Sequence, residues 1–209
     1  LAAHVKKTGG VISRFSLMQQ IVLASSSAFR QALLQRLALP FEVAVPAIDE
    51  AALPSETAPQ TAARLAEAKA RAVAPRHAGA LIIGSDQIAV CGNQSMGKPG
   101  NHANAVRQLQ AMRGNSVVFH TALCLLNART GSAQNATVPT TVTFRNLSDE
   151  EIERYLRREQ PYDCAGSAKS EGLGIALIER LQGDDPNALI GLPLIALVGM
   201  LKREGVSVL

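Results

Sequence analysis

A change of hydrophobic period between Ile21 and Leu37 constrains this chain more than any other feature. Ile21-Val22-Leu23-Ala24 is a short apolar run that reads as a buried strand, and Ser25-Ser26-Ser27 ends it. From Ala28 the period lengthens, with Phe29, Leu33, Leu34 and Leu37 recurring at helical spacing. The local order is therefore strand, turn, helix. Ser27 stands where it can cap that helix, whose first backbone N–H groups lack intrahelical partners, and Arg30 falls in the first turn. Hydroxyls, free amides and a guanidinium aimed at one point attract a phosphate by the physics of other helix N-termini, although no glycine-rich loop is present. The same residues also describe a plain serine-capped helix with a solvated arginine.

At 209 residues and 47% hydrophobic, the chain can bury one sizeable core or two small lobes sharing a sheet. Its most apolar stretch, Leu192 to Leu201, is too short to cross a bilayer and reads as a core helix, so no membrane partner is expected. Cys91, Cys124 and Cys164 are odd in number, far apart and without ligand-like pairing to histidine, which points to a reducing, cytoplasmic compartment and no structural zinc. The net charge of +4 invites a nucleic-acid reading, but Lys6, Lys7 and Arg14 sit in the acid-free first 17 residues, and the remainder is +1. Near-neutral charge with two Tyr, five Phe and no Trp argues against a basic groove with stacking platforms, so nucleic acid is not an expected partner.

Residues 1–17 show neither period and are expected to be an extension, with Met18 as an alternative start and residues 18–209 as a single domain. A signal peptide would need an apolar h-region there, and a transit peptide an amphipathic arginine-rich helix.

Pro40 to Pro46 reads as an extended segment running into Ile48-Asp49-Glu50, where acids can hold a divalent metal or simply charge a loop. Thr57 caps a predicted helix with Pro59 in its first turn. Lys69 lies on the apolar side of that helix, either snorkelling to solvent or serving a site. Leu81 to Val90 reads as a strand with Ser85-Asp86-Gln87 in its middle, a costly placement unless the strand is interrupted where those groups meet water, metal or ligand. Gly92 to Pro99 reads as a loop in which Pro99 can fix Lys98 near a phosphate.

A helix over Asn101–Met112 follows, then a hairpin of Val117–Asn127 and Ala136–Arg145. Ser148-Asp149-Glu150-Glu151 is a capping box opening a helix to Arg158, expected to be a solvated outer element. Asp163 to Gly174 is small, polar and suited to lining a cleft, with Glu171 able to accept from a base edge. Ile175 to Leu181 reads as a strand before the last helix.

Together these pieces suit attack on a polyphosphate. The strand-turn-helix and two lysines supply positive donors, while Glu50 and Asp86 can hold a metal or activate water. Ile21 to Arg30, Ser85-Asp86-Gln87, Gly97-Lys98-Pro99 and Cys164 to Gly172 resemble the Maf family of nucleoside triphosphate pyrophosphatases, over Gln20 to about Gly205. Asp86-Gln87 and Ser170-Glu171-Gly172 resemble its branch acting on 7-methyl-GTP, rather than the dTTP and UTP branch with Asp-Thr and Gln-Gly there.

The resemblance implies an α/β fold, a mixed elongated sheet flanked by helices, with two lobes and a cleft as in inosine triphosphatases. It implies cleavage between the α and β phosphates with Mg²⁺ or Mn²⁺, and a homodimer as the ordinary assembly. Asp86 matches the proton acceptor, and Phe29, Gln87 and Glu171 the specificity positions. Ser25, Ser27, Arg30, Lys69 and Lys98 match phosphate-binding positions, and Glu50 with Asp86 those near the metal. Phe29 stands where that branch commonly has tryptophan, a better partner for a cationic base. A broader base preference, or a nucleotide-responsive interaction protein acting on septum formation, are the alternatives.

Overall fold

The computed structural model describes residues 19–209, so the expected extension over residues 1–17 and the start at Met18 lie outside the described residues. Strand β1 (Ile21–Ala24) is buried along its whole length. Its alternation explains why all four residues are apolar: Ile21 and Leu23 enter one core, Val22 and Ala24 another on the opposite face. Helix α1 (Ala28–Gln35) follows, capped by Ser27 as expected. Only Glu42–Val43 of the extended segment pairs as a strand, the short parallel edge β2.

Helix α2 (Ala58–Val73) begins with a Thr57/Gln60 capping box and has Pro59 in its first turn. Strand β3 (Leu81–Cys91) is parallel to β1, and the long strands β5 (Ser116–Asn127) and β6 (Ala133–Phe144) follow it antiparallel, with α3 (His102–Met112) before them. Within the segment expected to be a loop, Gln94–Met96 forms β4, which turns back onto the end of β3. After α4 (Asp149–Glu159), β7 (Ile178–Gln182) closes the sheet and α5 (Leu194–Arg203) ends the fold. The expected strand over Ile175–Leu181 begins late, because Leu173–Leu177 turns as a 3₁₀ segment. The result is a mixed seven-stranded sheet in the order β2-β1-β3-β5-β6-β7, with β4 on β3, flanked by five α-helices.

Two cores clasp the β1–β3–β5 part of the sheet, one against α1 and α5, the other against α2. A third lies at the other end, where α3 and α4 cover Val117, Phe119, Val142 and Phe144. Helix α4 is therefore not the solvated outer element its charge suggests, because Ile152, Tyr155 and Leu156 form a buried stripe at helical spacing. Asp185, 3% exposed, receives Ile195 N at 2.7 Å and so does the capping work at α5 that Pro193 cannot. Among the described residues no helix is long and apolar enough to cross a membrane.

Candidate active site

Gly84 sets the geometry of the site. A Cβ built there would lie 2.0 Å from the carbonyl oxygen of Ala66, so only glycine lets α2 approach β3 this closely. Two residues further along the same face comes Asp86, and one turn along α2 from Ala66 comes Lys69. The two meet, with Lys69 Nζ donating to Asp86 Oδ1 at 2.6 Å. The same ammonium lies 3.0 Å from Glu50 Oε1. Lys69 is 5% exposed and does not snorkel; it is the counter-ion of two carboxylates. The strand expected to break at Asp86 runs unbroken to Cys91, since Lys69 satisfies the acid without any interruption.

Alternation along β3 sends Ser85 and Gln87 to the opposite face, toward the turn before α5. Ser85 Oγ lies 2.8 Å from Ala122 O and 2.9 Å from Gly191 O. Gln87 Nε2 lies within 3.0 Å of Thr121 Oγ1, Ala188 O and Leu189 O. Its two N–H donors are thus committed to the fold, and the amide oxygen is what Gln87 can offer a ligand.

At the end of β1, Ser25 Oγ accepts from Ser27 N at 3.1 Å, and Ser27 Oγ from Arg30 N at 3.4 Å. Arg30 Nε donates to Gly191 O at 2.9 Å, which ties the guanidinium to the turn before α5. Burial lowers the Arg30 pKa, opposed by the nearby charges of Asp86 and Glu50. The guanidinium remains charged at any working pH.

The acidic loop is tied down by residues that local sequence patterns do not reveal. Arg64 grips Glu56 through two nitrogens, at 2.6 and 2.8 Å, and also reaches Ala51 O at 3.0 Å. The Arg64 hydrogen bonds hold the Glu56 carboxyl down at about 2. The clasp holds the loop bearing Glu50 over α2. Asp49 Oδ1 accepts from Ala51 N, so it shapes the turn while its neighbour Glu50 reaches Lys69. Arg64 lies eight positions from Glu56, outside any helix pairing rule, and only the path of the loop brings them together.

Every residue matched to a catalytic, base, phosphate or metal position lines one cleft of about 700 Å³, while Asp49 and Ser85 are spent on the fold beside it. Ser25, Ser27, Arg30 and the exposed Lys98 line it along with Glu50, Lys69 and Asp86, and the two carboxylates lie near enough to Arg30 for their charges to act on it. Phe29, Gln87 and Glu171 line the cleft with them, together with Cys164, whose thiol burial pushes up to about 12. Lys169 Nζ lies 5.9 Å from the centroid of Phe29 and is fixed by Glu159, a placement the sequence reading missed.

An α/β protein with a serine-rich helix N-terminus facing a lysine-bridged pair of carboxylates is the class defined by this fold and cleft. The chain belongs to the Maf-like protein family, whose pattern it matches over residues 20–204. It is 61% identical to a 7-methyl-GTP pyrophosphatase of Cupriavidus metallidurans, over 88% of this chain and 93% of that protein. It is 59% identical to one of Thiobacillus denitrificans, over 90% and 94%, and 60% identical to one of Methylobacillus flagellatus, over 92% and 100%. A HAM1 protein structure from Coxiella burnetii overlaps 62% of this chain and 75% of that one, at 18% identity and a TM-score of 0.41, too slight a likeness to argue from.

Proposed function

We propose that this protein is a cytoplasmic nucleoside triphosphate pyrophosphatase that converts 7-methyl-GTP to 7-methyl-GMP and pyrophosphate. One observation carries the reading: Asp86, Lys69 and Glu50 are joined beside the Ser25–Arg30 anion donors in a single cleft. Relatives near 60% identity that bear the name 7-methyl-GTP pyrophosphatase support the choice of substrate. The unpaired Cys91, Cys124 and Cys164 support the reducing compartment.

In this reaction the free amides after Ser27, the Arg30 guanidinium and Lys98 bind the phosphate oxygens. Lys69 holds Asp86 Oδ1, leaving Oδ2 to take the proton of a water. That water attacks the α-phosphorus, the bond to the bridging oxygen breaks, and pyrophosphate leaves with the electron pair. Among the described residues no three His, Cys, Asp or Glu side chains gather as a metal nest. Mg²⁺ or Mn²⁺ still fits the donor set, because such ions take one or two carboxylates, here Glu50 and Asp86, and fill up with phosphate oxygens and water. When bound, the ion neutralises charge on the phosphoryl oxygens.

At the base, Phe29 offers a ring face, Glu171 a carboxylate opposite the positive charge of the methylated purine, and Gln87 an amide oxygen for N–H donors. A second reading, broader base preference, draws on Lys169, which already places a cation 5.9 Å from the Phe29 centroid. Product analysis with 7-methyl-GTP, GTP, dTTP and UTP, each with Mg²⁺ or Mn²⁺, tests both. Monophosphate plus pyrophosphate chiefly from 7-methyl-GTP, lost in Asp86→Ala, is the expected result. Equal turnover of GTP selects the broader reading, and folded protein inactive on all four overturns the enzyme.

A further inference from the structure

Glu171 is exposed on a loop, and an exposed carboxylate selects a base only if that loop holds still. The loop has two anchors, both on α4. Lys169 N donates to Tyr155 Oη at 3.0 Å, and Lys169 Nζ to Glu159 Oε1 at 2.8 Å. On the far side of Glu171, Leu173 N donates to Glu159 Oε2 at 2.8 Å. Between the anchors the Gly172 backbone passes so close that a Cβ would lie 3.0 Å from both Glu159 oxygens. Backbone bonds from Gly172 N and Gly174 N to Lys169 O, each 3.0 Å, close the turn. One carboxylate thus holds the loop on both sides of Glu171, and through Lys169 it also places the ammonium near Phe29.

We infer that Glu159 is a positioning residue for base selectivity, its carboxylate fixing from the end of α4 both the Glu171 loop and the ammonium beside Phe29. The inference rests on the proposed base-contacting roles of Glu171 and Phe29. The Lys169 ammonium and then the Leu173 N–H hold the Glu159 carboxyl below its ordinary range, so the tie is intact at neutral pH. Glu159 itself faces the loop rather than the reacting phosphates, which sets its effect apart from that of Asp86.

The test compares 7-methyl-GTP with GTP in wild type, Glu159→Ala, Glu159→Gln, Glu171→Gln and the Glu159→Ala/Glu171→Gln double variant, with amide exchange at Leu173. Loss of two charge-assisted bonds is expected to lower the ratio of kcat/KM for the two substrates by about tenfold in Glu159→Ala, through KM. Glu159→Gln, which keeps the shape and one acceptor, falls between, and it keeps the test readable if the alanine variant does not fold. In the Glu171→Gln background Glu159→Ala lowers the ratio by much less than in wild type, because only the route through Lys169 and Phe29 is left. Exchange at Leu173 speeds up in the alanine variant. An unchanged ratio in folded variants, or an equal fall in kcat for both substrates, overturns the inference. Wild type inactive on both nucleotides overturns the pyrophosphatase reading instead; the positioning role is then decided by Leu173 exchange, and unchanged exchange overturns it.

Discussion

The two halves of the cleft are built by different means. Part of the proposed phosphate side stands on core: Asp86 projects from a buried stretch of β3 and Lys69 from the buried face of α2, at a spacing Gly84 sets, and Arg30 springs from the first turn of α1, while Glu50 and Lys98 come from loops. The proposed base positions are mixed: Phe29 and Gln87 stand on α1 and β3, whereas Glu171 rides a turn pinned by Glu159. The proposed catalytic pair, Asp86 with Lys69, is thus placed on elements whose movement disrupts the core. The part of base selection proposed for Glu171 rests on side-chain ties that change without unfolding the protein.

Asp86→Asn should break the comparison most sharply. Removing the proposed proton acceptor is expected to lower kcat by about 10²–10⁴-fold, read as pyrophosphate release, with the melting temperature checking the fold. Gly84→Ala attacks the same half from beneath. Its Cβ meets the backbone of α2, and a stability loss of about 1–3 kcal/mol in denaturant unfolding is expected, with kcat falling as Lys69 and Asp86 are pushed apart. If stability fell but kcat did not, the link between core packing and catalysis would be broken.

Glu56→Gln probes the tether of the acidic loop through pH. The folded carboxyl titrates at about 2 against an ordinary 4.5, so its contribution is complete above about pH 4.5 and is lost as pH falls toward 2. Measured against the intrinsic exchange rate at each pH, protection of the Ala51 to Leu53 amides should therefore fall on acidification in the wild type, and be low at every pH in the variant. The smallest effect belongs to the base half. Phe29→Trp offers a better cation–π face and is expected to lower KM for 7-methyl-GTP about two- to fivefold, leaving UTP unchanged. An equal gain for UTP would mean that the ring merely adds apolar contact.

Much of this was legible along the chain. Ser27, Thr57 and Ser148 announce their helices, because a cap acts within one turn. The apolar runs of β1 and β3 announce a sheet covered on both faces. Two misreadings share one cause. Asp86 seemed to require a broken strand and α4 seemed a solvated helix, since local sequence does not tell which partner a charge will meet. Glu159 sits among arginines in a charged helix, and nothing nearby in sequence distinguishes it from its exposed neighbours.

By itself, then, the sequence determined most of the helices and long strands, the caps that open α1, α2 and α4, and the kinds of side chain available for a phosphate site, all set by interactions spanning a few residues. Only the tertiary structure decided which of those groups meet. Lys69 finds Asp86 across 17 positions, Gln87 finds Leu189 across 102 and Arg30 finds Gly191 across 161. The physical reason is that a hydrogen bond or ion pair depends on distance in space, which the packing of α2 on β3 and of the α5 turn on the sheet fixes after the local structure has formed.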